Sequence, residues 1–123
     1  MSLSWTLAIE ALSWIELERL TEDAAIRKTV RQLKVHDRDV VDEAHSLVYE
    51  TMMRRNAIDY IVNYAIEPQS LGNMNIGLRS YLRLFTHLAQ YGKSSLSDAY
   101  ELSEYVKGLL HHKELKKGEA ARS

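Results

Sequence analysis

Cysteine is absent from this 123-residue sequence, and proline occurs only once. Without cysteine the chain forms no disulfide frame, no thiolate metal site and no thiol nucleophile, a composition that suits the cytosol. The five glycines are scattered and build no phosphate-binding loop. No apolar run approaches the ~20 residues of a membrane span, and the N-terminus lacks a signal-peptide pattern. We therefore expect a soluble, cytoplasmic protein.

A strong excess of either charge is also lacking, since 16 Lys and Arg stand against 17 Asp and Glu. The net charge of -1 gives no overall attraction to nucleic acid or to a membrane surface, so any such binding must use a local patch. The length suits one hydrophobic core rather than two. We predict one domain over residues 1–112 and a charged, disordered tail over residues 113–123.

What the sequence does contain is helical periodicity. Apolar residues recur at three- and four-residue steps, whereas no segment alternates with period two, so we predict an all-α bundle of about five helices. The longest signal covers residues 37–67, with a bend or break near Arg54, and is expected to be the spine of the bundle. The other helices are predicted at about 3–19, 22–35, 76–89 and 97–110. Caps are expected at Thr21, at Asp37 or Asp39, and at Asn73 or Asn75.

Catalytic constellations are missing from the pattern. The five histidines never stand at a ligand spacing beside a second metal ligand, and only His111 and His112, next to the charged tail, stand together. Glu43 and His45 point to different sides of a helix, which argues against an acid-base pair. Serines occur where they close turns or cap helices. We therefore predict that this chain is not an enzyme and holds neither metal nor cofactor.

Charge placement is the informative chemical feature. The second helix carries a net of +2, whereas residues 37–67 carry seven acids against three bases. A basic helical face can bind RNA phosphates, but a solvated face paired to the acids of residues 37–67 is the more common arrangement. Arg83, between two leucines, is read as a structural arginine paired to Asp39 or Asp59. The candidate RNA-binding residues are Arg27, Lys28, Arg31, Lys34 and, with less support, Arg79.

The first helix is apolar on two sides. Trp5, Ile9 and Leu12 lie opposite its main apolar face, so they either form an interface, in a homodimer or with another domain, or belong to an ordinary core. Both readings stay open at the level of sequence.

The segment HDRDVVDEAHSLVYETMMRRNAIDYIV resembles the NusB-like N-terminal domain of RNA cytosine-5 methyltransferases of the Sun/Fmu type, especially their archaeal members. Further likeness lies in the first helix and in a Leu-Arg-Leu signature. Phe85 departs from the family, which often has glycine there, and the last family motif, Phe-x-Asn-x-x-Leu-Arg, is missing. The matching positions are Ala8, Ala11, Leu12, Ile15, Glu16, Arg38, Asp39, Leu47, Val48, Tyr49, Ile58, Asp59, Leu82, Arg83 and Leu84.

The resemblance implies a NusB-like helical bundle, without the last family helix, that holds structured RNA such as tRNA or rRNA for a reaction performed elsewhere. A methyltransferase of this type needs a cysteine nucleophile and S-adenosylmethionine, which we expect only in a separate catalytic domain. The charged ending favours a chain cut from such a parent. The alternatives are a free-standing antitermination factor similar to NusB and a helical protein-protein module.

Overall fold

The computed structural model describes residues 3–91 and Glu104. Within this part of the chain there are five α-helices, one 3-10 turn and no strand, which confirms the all-α prediction. The predicted helix at 97–110, apart from Glu104, and the tail at 113–123 lie outside the described residues. The elements are α1 (Leu3–Glu18), α2 (Glu22–Leu33), α3 (Arg38–Met53), α4 (Arg55–Ile66), the 3-10 turn (Leu71–Asn73) and α5 (Ile76–Gln90).

The long predicted helix over residues 37–67 is two helices that meet at Arg54, where a break was expected. The Arg54 N–H donates to the Glu50 carbonyl at 3.2 Å, and its carbonyl accepts from the Ile58 N–H at 2.9 Å. The backbone of Arg54 leaves helical geometry, with φ -101° and ψ 12°. α4 can therefore take its own direction and its own packing partners.

The centre of the bundle is α1, not the stretch predicted as its spine. α1 packs against α2, α3 and α5, whereas α4 packs mainly against α5. Six α1 residues are buried, and they point to several sides of the helix rather than to one stripe. A helix surrounded by three others needs apolar residues around most of its circumference. The buried residues are Ser4, Leu7, Ala8, Ile9, Ala11 and Leu12.

Three helix starts are fixed by side chains named among the expected caps. The Thr21 hydroxyl accepts from the Ala24 N–H at 3.2 Å, and the Asp37 carboxylate accepts from the Asp39 N–H at 2.9 Å. The Asn75 side-chain oxygen accepts from the Leu78 N–H at 2.8 Å. Each bond satisfies a backbone donor that the first helical turn leaves without a partner.

Buried apolar side chains form two separate clusters. The larger cluster draws on α1, α2, α3 and α5 and includes Leu7, Val48 and Leu84, each without exposed surface. The smaller cluster consists of Ile58 and Val62 from α4 and Leu71 from the 3-10 turn. Leu82 of α5 packs against both. The bundle therefore has a main core, with α4 attached to its side.

Candidate nucleic-acid interface

The exposed face of α2 presents a row of three cations. Arg27, Arg31 and Lys34 follow at steps of four and three residues, which brings them to one side of the helix. All three are exposed. Lys34 ends α2 in the left-handed region, with φ 55°, and its N–H donates to the Val30 carbonyl. We call Arg27, Arg31 and Lys34 the α2 basic row.

No carboxylate of residues 3–91 lies within ion-pair distance of the α2 basic row. Among the described residues, these cations therefore do not form the ion pairs with acids of α3 and α4 that the alternative predicted. The row rises about 10 Å along the helix axis, which is close to the Debye length at physiological salt. A polyanion at this face therefore meets the three charges as one patch.

Lys28, in contrast to the α2 basic row, makes an ion pair and a ring contact within the protein. Its ammonium lies 2.8 Å from the Glu18 carboxylate and 3.9 Å from the centroid of the Trp14 ring. The Trp14 indole N–H in turn donates to the side-chain oxygen of Gln32 at 3.0 Å. Lys28 thus joins α1 to α2, and it is only a secondary candidate for RNA contact.

Arg79 holds the fold together and lies away from the α2 basic row, on α5. Its guanidinium reaches both carboxylate oxygens of Glu16, at 3.1 and 3.2 Å. It also donates to the Met74 carbonyl at 2.7 Å and to the Leu71 carbonyl at 3.4 Å. With these donors engaged and 15% of its side chain exposed, Arg79 has little free surface for contact with a phosphate.

Arg83 is the buried structural arginine expected from its leucine neighbours, and its partner is Asp59 rather than Asp39. Two guanidinium nitrogens donate to Asp59 at 2.8 and 3.1 Å, and a third reaches Glu16 at 3.2 Å. Burial acts to lower the pKa of Arg83, but the two carboxylates outweigh it and raise the pKa above its ordinary value. Arg83 therefore ties α5 to α1 and to α4 through charge.

A cluster that sequence reasoning missed joins α2 to α3. One oxygen of Asp23 lies 2.7 Å from His45 Nε2 and accepts from the Tyr49 hydroxyl at 3.0 Å. The His45 and Tyr49 rings have centroids 4.7 Å apart and are tilted by 42°. Only the one-turn spacing of His45 and Tyr49 was visible in the sequence, since their shared partner lies on another helix.

The electrostatics of this cluster follow from its hydrogen bonds. The hydrogen bonds from His45 and Tyr49 lower the pKa of Asp23. The positive charge of Arg27 adds a smaller effect in the same direction. The bond to Asp23 raises the pKa of Tyr49, because loss of its proton would place two anions together. Asp23 thus stays ionised, and its charge is partly offset by Arg27, the first residue of the α2 basic row.

A buried histidine lies at the junction of α3 and α5. His87 is 1% exposed, and its Nε2 lies 3.2 Å from the Glu50 carboxylate. Burial lowers the pKa of His87, against the opposing effect of Glu50. Its Nδ1 finds no partner among the described residues. The His87 ring is therefore enclosed by the protein, while its partner Glu50 is half exposed.

The candidate interface residues of α1 lie within the bundle. Ile9 and Leu12 are buried in the larger cluster, and Trp5 is partly buried against it. These positions belong to the core alternative that the sequence left open. The most exposed large apolar side chains lie elsewhere, at Met53 and at Tyr60 and Tyr64 of α4, with 74%, 74% and 77% of their surface exposed.

Across the described residues, no group of three or more His, Cys, Asp or Glu side chains is arranged to hold a metal ion. None of the described helices combines the length and the apolar character that crossing a membrane requires.

Comparison with known proteins yields a likeness of fold. No protein-family model matches the sequence, and no curated protein matches it significantly. A protein chain from the crystal structure of a plectonemic RNA supercoil superposes with a TM-score of 0.72, over 98% of this chain and 96% of that chain. The two are 16% identical, so the likeness concerns the fold alone. The chain is an all-helical bundle of the same architecture as that protein.

Proposed function

We propose that this chain is a non-catalytic, NusB-like RNA-binding domain that positions tRNA or rRNA for a cytosine-5 methyltransferase. The observation that carries the proposal is the α2 basic row, three exposed cations with no ion pair among the described residues. A protein with a net charge of -1 that keeps such a row has a local site for polyanions. Because A-form RNA is recognised through its shape and phosphates, a rigid helical face with cations suits it.

Two further observations support the proposal. The fold is shared with a protein from an RNA-containing crystal structure. The sequence also resembles the NusB-like domain of Sun/Fmu-type methyltransferases at positions that include the buried Leu84 and the ion-paired Arg83 and Asp59. In this proposal S-adenosylmethionine and the cysteine nucleophile belong to a separate catalytic domain, and the complex works in the cytoplasm.

The test compares two triple variants that lower the net charge by the same amount. The first removes the α2 basic row with Arg27→Gln, Arg31→Gln and Lys34→Gln. The control adds three acids at exposed positions on α4, in the following loop and on α5, with Asn56→Glu, Gln69→Glu and Gln90→Glu. The probe is a fluorescent RNA hairpin with a fully paired stem, titrated at several salt concentrations.

We expect the first variant to weaken hairpin binding about tenfold at low salt, and to reduce the slope of log K against log salt by about three. The control should lose much less, because its added charges lie away from the row. Equal losses in the two variants would mean that only net charge matters. Unchanged binding by the first variant would reject this face as the RNA site.

The identity of the parent protein has its own test. We expect the reading frame beyond Ser123 to encode a domain with cysteines and a nucleotide-cofactor pocket. If the gene instead ends at Ser123, the free-standing antitermination factor becomes the better proposal, with the same RNA-binding face.

A second candidate function, self-association, is favoured by a specific observation on α4. Tyr60 and Tyr64 lie one turn apart on α4 and are largely exposed, at 74% and 77%. If α4 mediates a homodimer, light scattering will give twice the monomer mass for the unmodified chain and the monomer mass for Tyr60→Ser with Tyr64→Ser. A monomer in both cases rejects the homodimer.

A further inference from the structure

The cluster of Asp23, His45 and Tyr49 joins two helices at the protein surface. One carboxylate oxygen of Asp23 is hydrogen-bonded to two aromatic side chains on successive turns of α3. Both rings remain open to solvent, with 39% of the His45 side chain and 41% of Tyr49 exposed. The protein thus presents two rings in fixed positions at its surface.

The location of these rings matters as much as their exposure. Asp23 and Arg27 are four residues apart on α2, which places them one turn apart on the same face of the helix. The ring pair, which is hydrogen-bonded to Asp23, therefore lies on the side of α2 that carries the first residue of the α2 basic row. Aromatic faces beside a phosphate-binding cation are the combination by which proteins bind unpaired nucleotides.

We propose that His45 and Tyr49 form a stacking subsite for one unpaired nucleotide of the RNA whose phosphates lie on the α2 basic row. The inference rests on the proposed function. The base of the unpaired nucleotide lies against the exposed ring of Tyr49, and its phosphate lies on Arg27. Asp23 holds the two rings in position without contacting the RNA.

This subsite defines the kind of RNA that the domain prefers. Bases within a continuous A-form stem are stacked on each other and cannot reach a ring on the protein surface. A bulged or loop base is free to leave the stem, and stacking on an aromatic side chain is tolerant of base identity. The preferred ligand is therefore a paired stem interrupted by an unpaired nucleotide, rather than a perfect duplex.

The experiment uses two RNA hairpins that differ only in one bulged nucleotide within the stem. The bulge carries 2-aminopurine, whose fluorescence is quenched when the base stacks. Affinities of the full chain are measured for both RNAs with three proteins: the unmodified chain, Tyr49→Leu, and Tyr49→Phe as the variant that keeps the ring. Circular dichroism of each protein checks its helicity.

We expect the unmodified chain to bind the bulged hairpin about tenfold more tightly than the paired one and to quench the probe. Tyr49→Leu should lose most of this preference while its affinity for the paired hairpin stays the same. Tyr49→Phe should keep most of the preference. If Tyr49→Leu unfolds, quenching by the unmodified chain still decides whether the base stacks on protein.

Two failures are distinguishable. If the unmodified chain binds both hairpins equally and leaves the probe unquenched, the stacking subsite is rejected while the RNA-binding proposal stands. If it binds neither hairpin, the proposed function and the subsite fall together. A preference for the bulge that survives in Tyr49→Leu would also overturn the subsite, because the bulged base would then be recognised elsewhere.

Discussion

The two apolar clusters of the bundle differ in how they are built. The larger one is enclosed by α1, α2, α3 and α5, so that its central residues touch neighbours from several helices. The smaller one has three buried members, Ile58, Val62 and Leu71, from α4 and the turn that follows. The outer face of α4 exposes Tyr60 and Tyr64 instead of burying them. The main core thus carries most of the hydrophobic stabilisation, and α4 depends on a narrow contact.

Charge compensates for the small apolar contact of α4. Asp59 on α4 receives two hydrogen bonds from Arg83 of α5, which also contacts Glu16 of α1. The Asn63 side chain accepts from the Leu71 N–H at 2.8 Å and so fixes the start of the 3-10 turn. Where few methyl groups are available, directional polar contacts set the position of the helix.

The largest difference between the clusters is expected from truncating one buried residue in each. Leu84→Ala in the main core should lower the free energy of unfolding by about 4 kcal/mol, because the surrounding helices cannot close the cavity. Ile58→Ala should cost about 2 kcal/mol, since the margin of a three-residue cluster relaxes more easily. Urea denaturation of both variants measures these losses.

Hydrogen exchange provides the control for this comparison. If the main core is the more stable unit, amides of α4 will exchange through local opening at a lower free energy than those of α1. Equal protection of the two helices, or a larger loss in Ile58→Ala than in Leu84→Ala, would mean that the two clusters unfold as one equivalent core.

A somewhat smaller effect is expected from the charge that links the two clusters. Arg83→Ala should cost about 3 kcal/mol, because it leaves the Asp59 carboxylate without its main partner, and Glu16 with Arg79 alone, in a mostly buried site. Arg55→Ala is the matched control, since Arg55 reaches the same Asp59 at 3.6 Å from a more exposed position. It should cost less than about 0.5 kcal/mol. Similar losses would show that Arg83 acts as an ordinary surface cation.

The smallest expected effect is a pH dependence of the free energy of unfolding, caused by His87 at the α3–α5 junction. Burial lowers the pKa of His87 below the ordinary value of 6.5. As the pH falls through 6.5, the unfolded chain takes up a proton that the folded chain resists, so stability decreases until the folded pKa is reached. His87→Gln should flatten this decrease in urea midpoints measured between about pH 7 and pH 5.

His36 provides the control for this pH dependence, since it is exposed between α2 and α3. The variant His36→Gln should leave the slope of stability against pH unchanged. A slope that is equally steep with and without His87 would assign the acid sensitivity to other groups.

Local features of the fold were predictable from the sequence. The caps at Thr21, Asp37 and Asn75 and the break at Arg54 depend on residues within one helical turn of each other, so their chemistry is visible in the printed order. An acidic partner for Arg83 was also predictable, because a buried guanidinium requires a carboxylate. Of the two acids named from the sequence, Asp59 is the partner.

Relations between distant segments were not predictable. The apolar residues around α1 fitted either an interface or a central core, and only the packing of α2, α3 and α5 decides which. Arg79 looked like a surface cation because Glu16 and the carbonyls that it binds lie on other elements. The hydrogen bonds of His45 and Tyr49 to Asp23 were not predictable either, because Asp23 lies on another helix.

The contact between Lys28 and Trp14 gives the protein an optical signal of its own. The chain has two tryptophans, both on α1, and the ammonium of Lys28 lies directly over one of them, on the side of α2. Indole emission responds to the electric field of a nearby charge, so any ligand that draws Lys28 away alters the spectrum of Trp14. Tryptophan fluorescence can therefore report the binding of such a ligand without an attached dye. Trp14→Phe is the control that lacks this signal.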